Sequence, residues 1–216
     1  SIPREKITKA PPEANGELLS QYIITDYHIG QLSWAEETGE AWNVQIAEDT
    51  LVKWFAAAIH AAPNSHTGVF CQLGDFLHFD SIEPVTPTSK HILDADARYA
   101  QIVRIAIRAV RRIVNMMLQK HAHVHIIMAE GNHDISSSVA LRELFATLYE
   151  DEPRITVDNT CAPYYMYEWG KTALFYHHGH KRKINTVDTV FAGKFREIYG
   201  RCARSYGHIG HLHNDE

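Results

Sequence analysis

The chain has 216 residues, 45% hydrophobic and 22% charged, enough for one large domain with a substantial core. Its formal net charge of −5 gives no overall pull towards nucleic acid, and no apolar run of roughly 18 residues marks a membrane span. Three cysteines without zinc-knuckle spacing (Cys71, Cys161, Cys202) point to a reduced, cytoplasmic setting, and the fifteen histidines are the anomaly of composition.

Residues 1–17 are polar with three prolines and read as a mobile arm, leaving 18–216 as the folded domain. A first strand over Leu19–Thr25 delivers Asp26-Tyr27-His28 at its tip. Ser33 to Asn43 reads as an exposed loop, and a helix follows to Ala62 with Ile46, Leu51, Trp54, Phe55 and Ile59 as its apolar stripe. Thr67–Leu73 is a second apolar strand, ending in Gly74-Asp75. After a loop over 80–92, a long helix spans Asp94 to Gln119. Its buried stripe is Val103, Ala106, Val110, Ile113 and Met117, and Arg104, Arg108, Arg111 and Arg112 share the solvated side.

The apolar strand His125–Ala129 then runs into Glu130-Gly131-Asn132-His133-Asp134, and a helix follows from Ser136 to Leu148, capped by Asp134 or Ser136. Past Pro153 come short strands at Ile155–Asp158, Tyr164–Trp169 and Lys171–Tyr176, the last leading into His177-His178-Gly179-His180. One helix over Val187–Tyr199 and a final short strand end at Gly210-His211-Leu212-His213. No repeats or low-complexity tracts interrupt this order.

Five polar clusters therefore stand at strand ends, where open α/β sheets place their ligands: Asp26/His28, Asp75, Asn132/His133, His178 and His211/His213. Each alone has an ordinary explanation as a turn, a helix cap or a hydrogen-bonded core histidine. With His133 set aside they supply two carboxylates, an amide oxygen and four imidazoles. Seven such ligands are too many for one tetrahedral zinc and suit two divalent ions that share a carboxylate.

The order Asp26-x-His28, Gly74-Asp75, Gly131-Asn132-His133-Asp134, His178-Gly179 and Gly210-His211-x-His213 resembles the calcineurin-like metallophosphoesterase superfamily over nearly the whole chain. The resemblance implies an α/β, four-layer fold of two mainly mixed sheets flanked by helices, with a binuclear metal site on strand-end loops. It implies one ion on Asp26, His28, Asp75 and His213, and a second on Asp75, Asn132, His178 and His211, with Asp75 bridging. Manganese is the first expectation for the two ions, with iron, zinc or cobalt also suited to mixed nitrogen and oxygen ligands. His177, His180 and His208 fall off the family's ligand positions. The chain stops three residues after His213, where the family has further strands, so a C-terminally shortened domain is expected.

Two ions roughly 3.5–4 Å apart clamp a phosphoryl group and acidify a bridging water, whose hydroxide attacks phosphorus in line. His133, not needed as a ligand beside Asn132, is then the acid that protonates the leaving oxygen, with Asp134 orienting either His133 or a metal-bound ligand from behind. Gly74-Asp75-Phe76-Leu77-His78 resembles the matching motif of Mre- and SbcD-type nucleases, which implies that His78 supports His133. The spacing of Trp34-x-x-x-Thr38-Gly39 and Pro87-Thr88-Ser89 also resembles phage-encoded phosphoesterases. The Arg before Gly-Asn-His and the Glu after it that mark Ser/Thr protein phosphatases are absent, Glu130 and Asp134 standing there instead. A phosphodiesterase or nuclease is thus the leading expectation, with DNA as a candidate substrate, Lys181-Arg182-Lys183 as backbone contacts and Tyr27, Phe76 or Trp34 as stacking surfaces. The alternatives are a phosphohydrolase of nucleotides, cyclic nucleotides or monoesters, and a non-catalytic scaffold of the same fold.

Overall fold

The computed structural model describes residues 9–12, 14–182 and 184–212. In chain order the elements are β1 (Asn15–Ile24), α1 (Ala35–Thr38), α2 (Val44–Ala61), β2 (Ser65–Gln72), α3 (Tyr99–Lys120), β3 (His123–Met128), α4 (Ile135–Leu148), β4 (Ile155–Val157), β5 (Tyr165–Trp169), β6 (Thr172–His177), α5 (Ile184–Lys194), α6 (Arg196–Arg201) and β7 (Arg204–Ile209). Strands β1 to β4 form one sheet in that order, and β5, β6 and β7 form a second. The class is mixed α/β as expected, but the first sheet is wholly parallel rather than mixed. The reason lies in its connections: α2, α3 and α4 each return the chain to the same end, as parallel pairing requires. The second sheet is mixed, with β5 antiparallel and β7 parallel to β6.

The two-residue period of the strands sorts their side chains between cores. Phe70, Val124, Ile126 and Met128 pack with Leu51 and Phe55 of α2, Ala106 and Val110 of α3, and Phe145 of α4. The alternate residues Val69, Cys71, Ile127 and Ala129 meet Tyr165, Leu174 and Tyr176 of the second sheet. Beyond that sheet, Ala173 and Phe175 meet Val187 and Phe191 of α5. The layers therefore run helices, parallel sheet, mixed sheet, helices. Because β2 and β3 are covered on both faces, apolar residues run together in each, Val69-Phe70-Cys71 in β2 and Ile126-Ile127-Met128 in β3, instead of alternating with polar ones. Truncating one plug, such as Phe70→Ala, would cost about 3–5 kcal/mol. The Tyr176 hydroxyl donates to Gln21 Oε1 at 2.6 Å and ties the two sheets together.

Several boundaries differ from the sequence reading, each for a local reason. Residues 15–17, expected in the arm, already belong to β1, and Arg154 Nη1 donates to the Lys9 carbonyl at 2.8 Å. Asn43 caps α2 by accepting from the Ile46 amide at 2.9 Å, but Trp54 is 48% exposed and Val52 takes its expected place in the buried face. The long helix begins at Tyr99, not Asp94, because Asp94 and Asp96 are engaged elsewhere: the Leu32 amide donates to the Asp94 carbonyl, and the Asp96 amide to the Gly30 carbonyl. The loop over 33–43 carries the single turn α1, closed by Gly39 at φ 87°. The helix expected over Val187–Tyr199 breaks at Phe195 (φ −111°, ψ 42°) into α5 and α6. Among the described residues no helix is long and apolar enough to cross a membrane.

Candidate metal centre

Parallel pairing sets the carboxyl ends of β1, β2 and β3 along one edge of the first sheet, and those of β6 and β7 along one edge of the second. Every described residue expected in the site follows one of these ends: Asp26 and His28 after β1, Asp75 and His78 after β2, Asn132 to Asp134 after β3, His178 after β6 and His211 after β7. His213 and Lys183 lie outside the described residues. Among the described residues five non-glycine positions have positive φ, and four are Asp26 (51°), His28 (50°), Asp75 (52°) and His211 (74°). Such backbone costs on the order of 1–3 kcal/mol per residue and concentrates where function demands a particular side-chain direction.

The first group joins Asp26, Asp75, His178 and His211, whose ligand atoms all lie within 4.8 Å of one another. His178 Nδ1 donates to the Leu73 carbonyl at 3.0 Å, which turns Nε2 towards three acceptor oxygens. Those are Asp75 Oδ2 at 3.1 Å, Asn132 Oδ1 at 3.2 Å and Asp26 Oδ1 at 3.9 Å. Burial alone would push the Asp75 carboxyl up. The hydrogen bond and charge of His178, with the His133 amide at 2.8 Å, outweigh it and hold Asp75 at about 2. The same contacts, against burial, raise the His178 imidazole above its ordinary value. Asp26 Oδ2 accepts from the Thr25 hydroxyl at 2.6 Å and the His211 amide at 2.9 Å, so its orientation is set from both sheets.

The second group is all imidazole: His28, His78 and His133. Ring centroids lie 4.7 Å apart for His28–His133 and 5.7 Å for His78–His133, and the Nδ1 atoms of His28 and His78 are 3.4 Å apart. Burial, with the neighbouring His28 and His133, holds His78 down at about 4. His133 Nδ1 donates to the His78 carbonyl at 2.8 Å, which leaves Nε2 as the ring nitrogen turned away from that carbonyl. The sequence reading set His28 beside Asp26 on one ion; in the structure its imidazole stands with the other two histidines.

Asp134 is fully buried and does not reach the His133 ring. Its carboxylate accepts from the amides of Phe76 (2.7 Å), Gly131 (3.0 Å), Leu77 (3.1 Å) and Asp75 (3.2 Å), and so clasps the β2 and β3 loops together. Burial and the charge of Asp75 push it up to about 6 against those amides. Gly131 makes that clasp possible, since a Cβ there would fall on the Asp75 carboxylate and amide. Gly74, at φ 103°, likewise leaves the space that the His178 ring occupies. Neither Asp134 nor Ser136 caps α4 through its side chain. Asp80, from the loop after β2, does so by accepting from the amides of Ser136 (2.6 Å) and Ser137 (2.7 Å) and from the Ser137 hydroxyl. Sequence reasoning missed Asp80 because no local signal links it to a helix 55 residues downstream.

Three further expectations can be placed. Lys181 Nζ pairs with Glu130 Oε1 at 3.0 Å. Phe76 is core and the Tyr27 hydroxyl donates to the Ala47 carbonyl at 2.6 Å, which leaves Trp34, 59% exposed, as the one of the three open to stacking. The Arg104 and Arg108 side chains are exposed on the outer side of α3, as a solvated face requires. The chain matches no family model, no curated protein and no solved structure.

Proposed function

We propose that the chain is a divalent-metal-dependent phosphodiester hydrolase of the calcineurin-like metallophosphoesterase kind. The observation that carries this reading is the meeting of Asp75, Asn132 and Asp26 oxygens on a His178 nitrogen whose ring is already fixed by the Leu73 carbonyl. Acceptors facing an imidazole nitrogen need positive charge between them. The raised His178 supplies it with a proton, and a divalent cation satisfies the same donor set better. Asp26, Asp75, Asn132, His178 and His211, with His28 beside them, would hold two ions, manganese being the first choice for oxygen and nitrogen ligands together. When bound, such ions supply Lewis-acid charge to a phosphoryl group and make hydroxide available from water near neutral pH.

The chain's own residues account for the rest. His133, fixed through Nδ1 on the His78 carbonyl, keeps Nε2 to deliver the proton that the leaving oxygen takes up, an effect on the order of 10²–10⁴-fold. His78 supports it with backbone rather than with its ring. Asp134 holds the loops of Asp75 and His133 at a constant separation. The test is metal counting on the manganese-loaded chain together with hydrolysis of bis(p-nitrophenyl) phosphate. Two ions per chain and turnover abolished by chelation are expected; a loaded chain inert towards every phosphodiester overturns the reading.

A further inference from the structure

Beside the candidate centre a groove of about 590 Å³ runs between residues 179–182 and 184–185 on one side and Ile209, His211 and Leu212 on the other. His211 belongs to both the groove and the aspartate cluster, so the two are continuous. The volume suits an organic ligand of nucleotide size rather than a lone phosphate ion. Its wall contains His180, whose two ring nitrogens are both shielded from solvent and have no hydrogen-bond partner. An imidazole in that state costs free energy unless a ligand oxygen completes it. The ring lies 5.4 Å from that of His178 and 6.5 Å from that of His211.

The charge of the groove is also particular. Glu130 already answers Lys181, whereas exposed Arg182 has no ion-pair partner among the described residues. Helix α5 begins in the same wall at Ile184 and Asn185, which turns the positive end of its dipole into the groove. Ile184, Ile209 and Leu212 add apolar surface to the same groove. A groove that adjoins the candidate centre and carries an unpartnered imidazole, a cation and apolar surface fits a nucleoside followed by a second phosphate.

Resting on the phosphodiesterase reading, we infer that this groove holds the phosphate next to the scissile one in a nucleic-acid strand, with His180 and Arg182 as its contacts. A substrate that lacks the second phosphate leaves both unused. The experiment compares kcat/KM of the manganese-loaded chain on TpT, pTpT, TpTp and bis(p-nitrophenyl) phosphate. One of the two terminally phosphorylated dinucleotides should exceed TpT by about tenfold, mainly through KM, as a charge-assisted contact implies. Arg182→Ala and His180→Gln should each bring that ratio close to one. Arg182 is a surface residue, so its variant folds even where the His180 variant does not.

As a readout apart from turnover, calorimetry on the metal-free chain should show thymidine 3′,5′-bisphosphate binding that weakens with salt and in Arg182→Ala. Equal rates on all three dinucleotides, or a ratio untouched in Arg182→Ala, overturn the groove assignment while leaving the phosphodiesterase reading in place. No hydrolysis of any of the four esters overturns that reading, and the groove assignment falls with it.

Discussion

The two groups at the strand ends are built from overlapping residue types and solve opposite electrostatic problems. Around Asp75 two carboxylates converge with two imidazoles, and the carboxylates force that of His178 towards its charged form, a sign that the group wants positive charge. Around His133 three imidazoles meet without a carboxylate, and burial keeps His78 neutral, at about 4. What differs is the neighbour rather than the residue: His178 and His78 are both buried, yet one is raised and the other lowered. A region deficient in positive charge attracts cations, and a neutral imidazole region handles protons. That division is the physical basis of the proposed chemistry.

The sharpest way to break the comparison is to remove Asp75. Asp75→Asn should abolish metal retention and reduce turnover to background, read by metal analysis and phosphodiester hydrolysis; a variant that keeps its metals would dissolve the distinction between the groups. His133→Ala should do the reverse, retaining both ions while losing on the order of 10²–10⁴-fold in kcat. Parent-like kcat in that variant would remove the imidazole group from the reaction. Asp134→Ala leaves four buried amides without their acceptor, which should lower stability by about 3 kcal/mol in denaturant unfolding.

A pH experiment tests burial as the cause of neutral histidine away from the site. His125 sits between Thr156, whose hydroxyl is 2.7 Å from its Nδ1, and the Tyr167 ring, and burial holds it at about 4. Because its folded value lies below the ordinary 6.5, the unfolded chain takes the proton first. Its contribution is therefore full above pH 6.5 and lost as pH falls towards 4. Relative to His125→Gln, the metal-free parent should lose about 3 kcal/mol across that window, measured by unfolding at successive pH values. Parallel curves would contradict the assignment. Smallest of all, Lys181→Ala breaks an exposed pair and should change stability by no more than about 0.5 kcal/mol.

Much of the molecule was legible before any coordinates. Apolar runs bounded by Gly-Asp, Gly-Asn-His and His-Gly announced strands that end in polar loops, and helix periodicity announced α2, α3 and α4. Such signals are local: a strand covered on both faces gathers consecutive apolar residues, and a loop that takes positive φ or admits a neighbour's ring needs glycine beside it. The seven strand-end ligands were nominated from chain order, and six of them lie among the described residues.

Other properties depend on groups far apart in sequence, and only folding decided them. Asp134 reads as a helix cap or as a partner of His133 or of a metal-bound ligand, yet it clasps four amides because the β2 loop passes in front of it. Asp80 caps a helix that begins beyond an intervening helix and strand. Sequence determined which residues stand at strand ends, since alternation and turn chemistry act over a few positions. Tertiary structure decided which of them share a charge, because Coulomb interactions and hydrogen bonds depend on distances in space that parallel crossovers alone set.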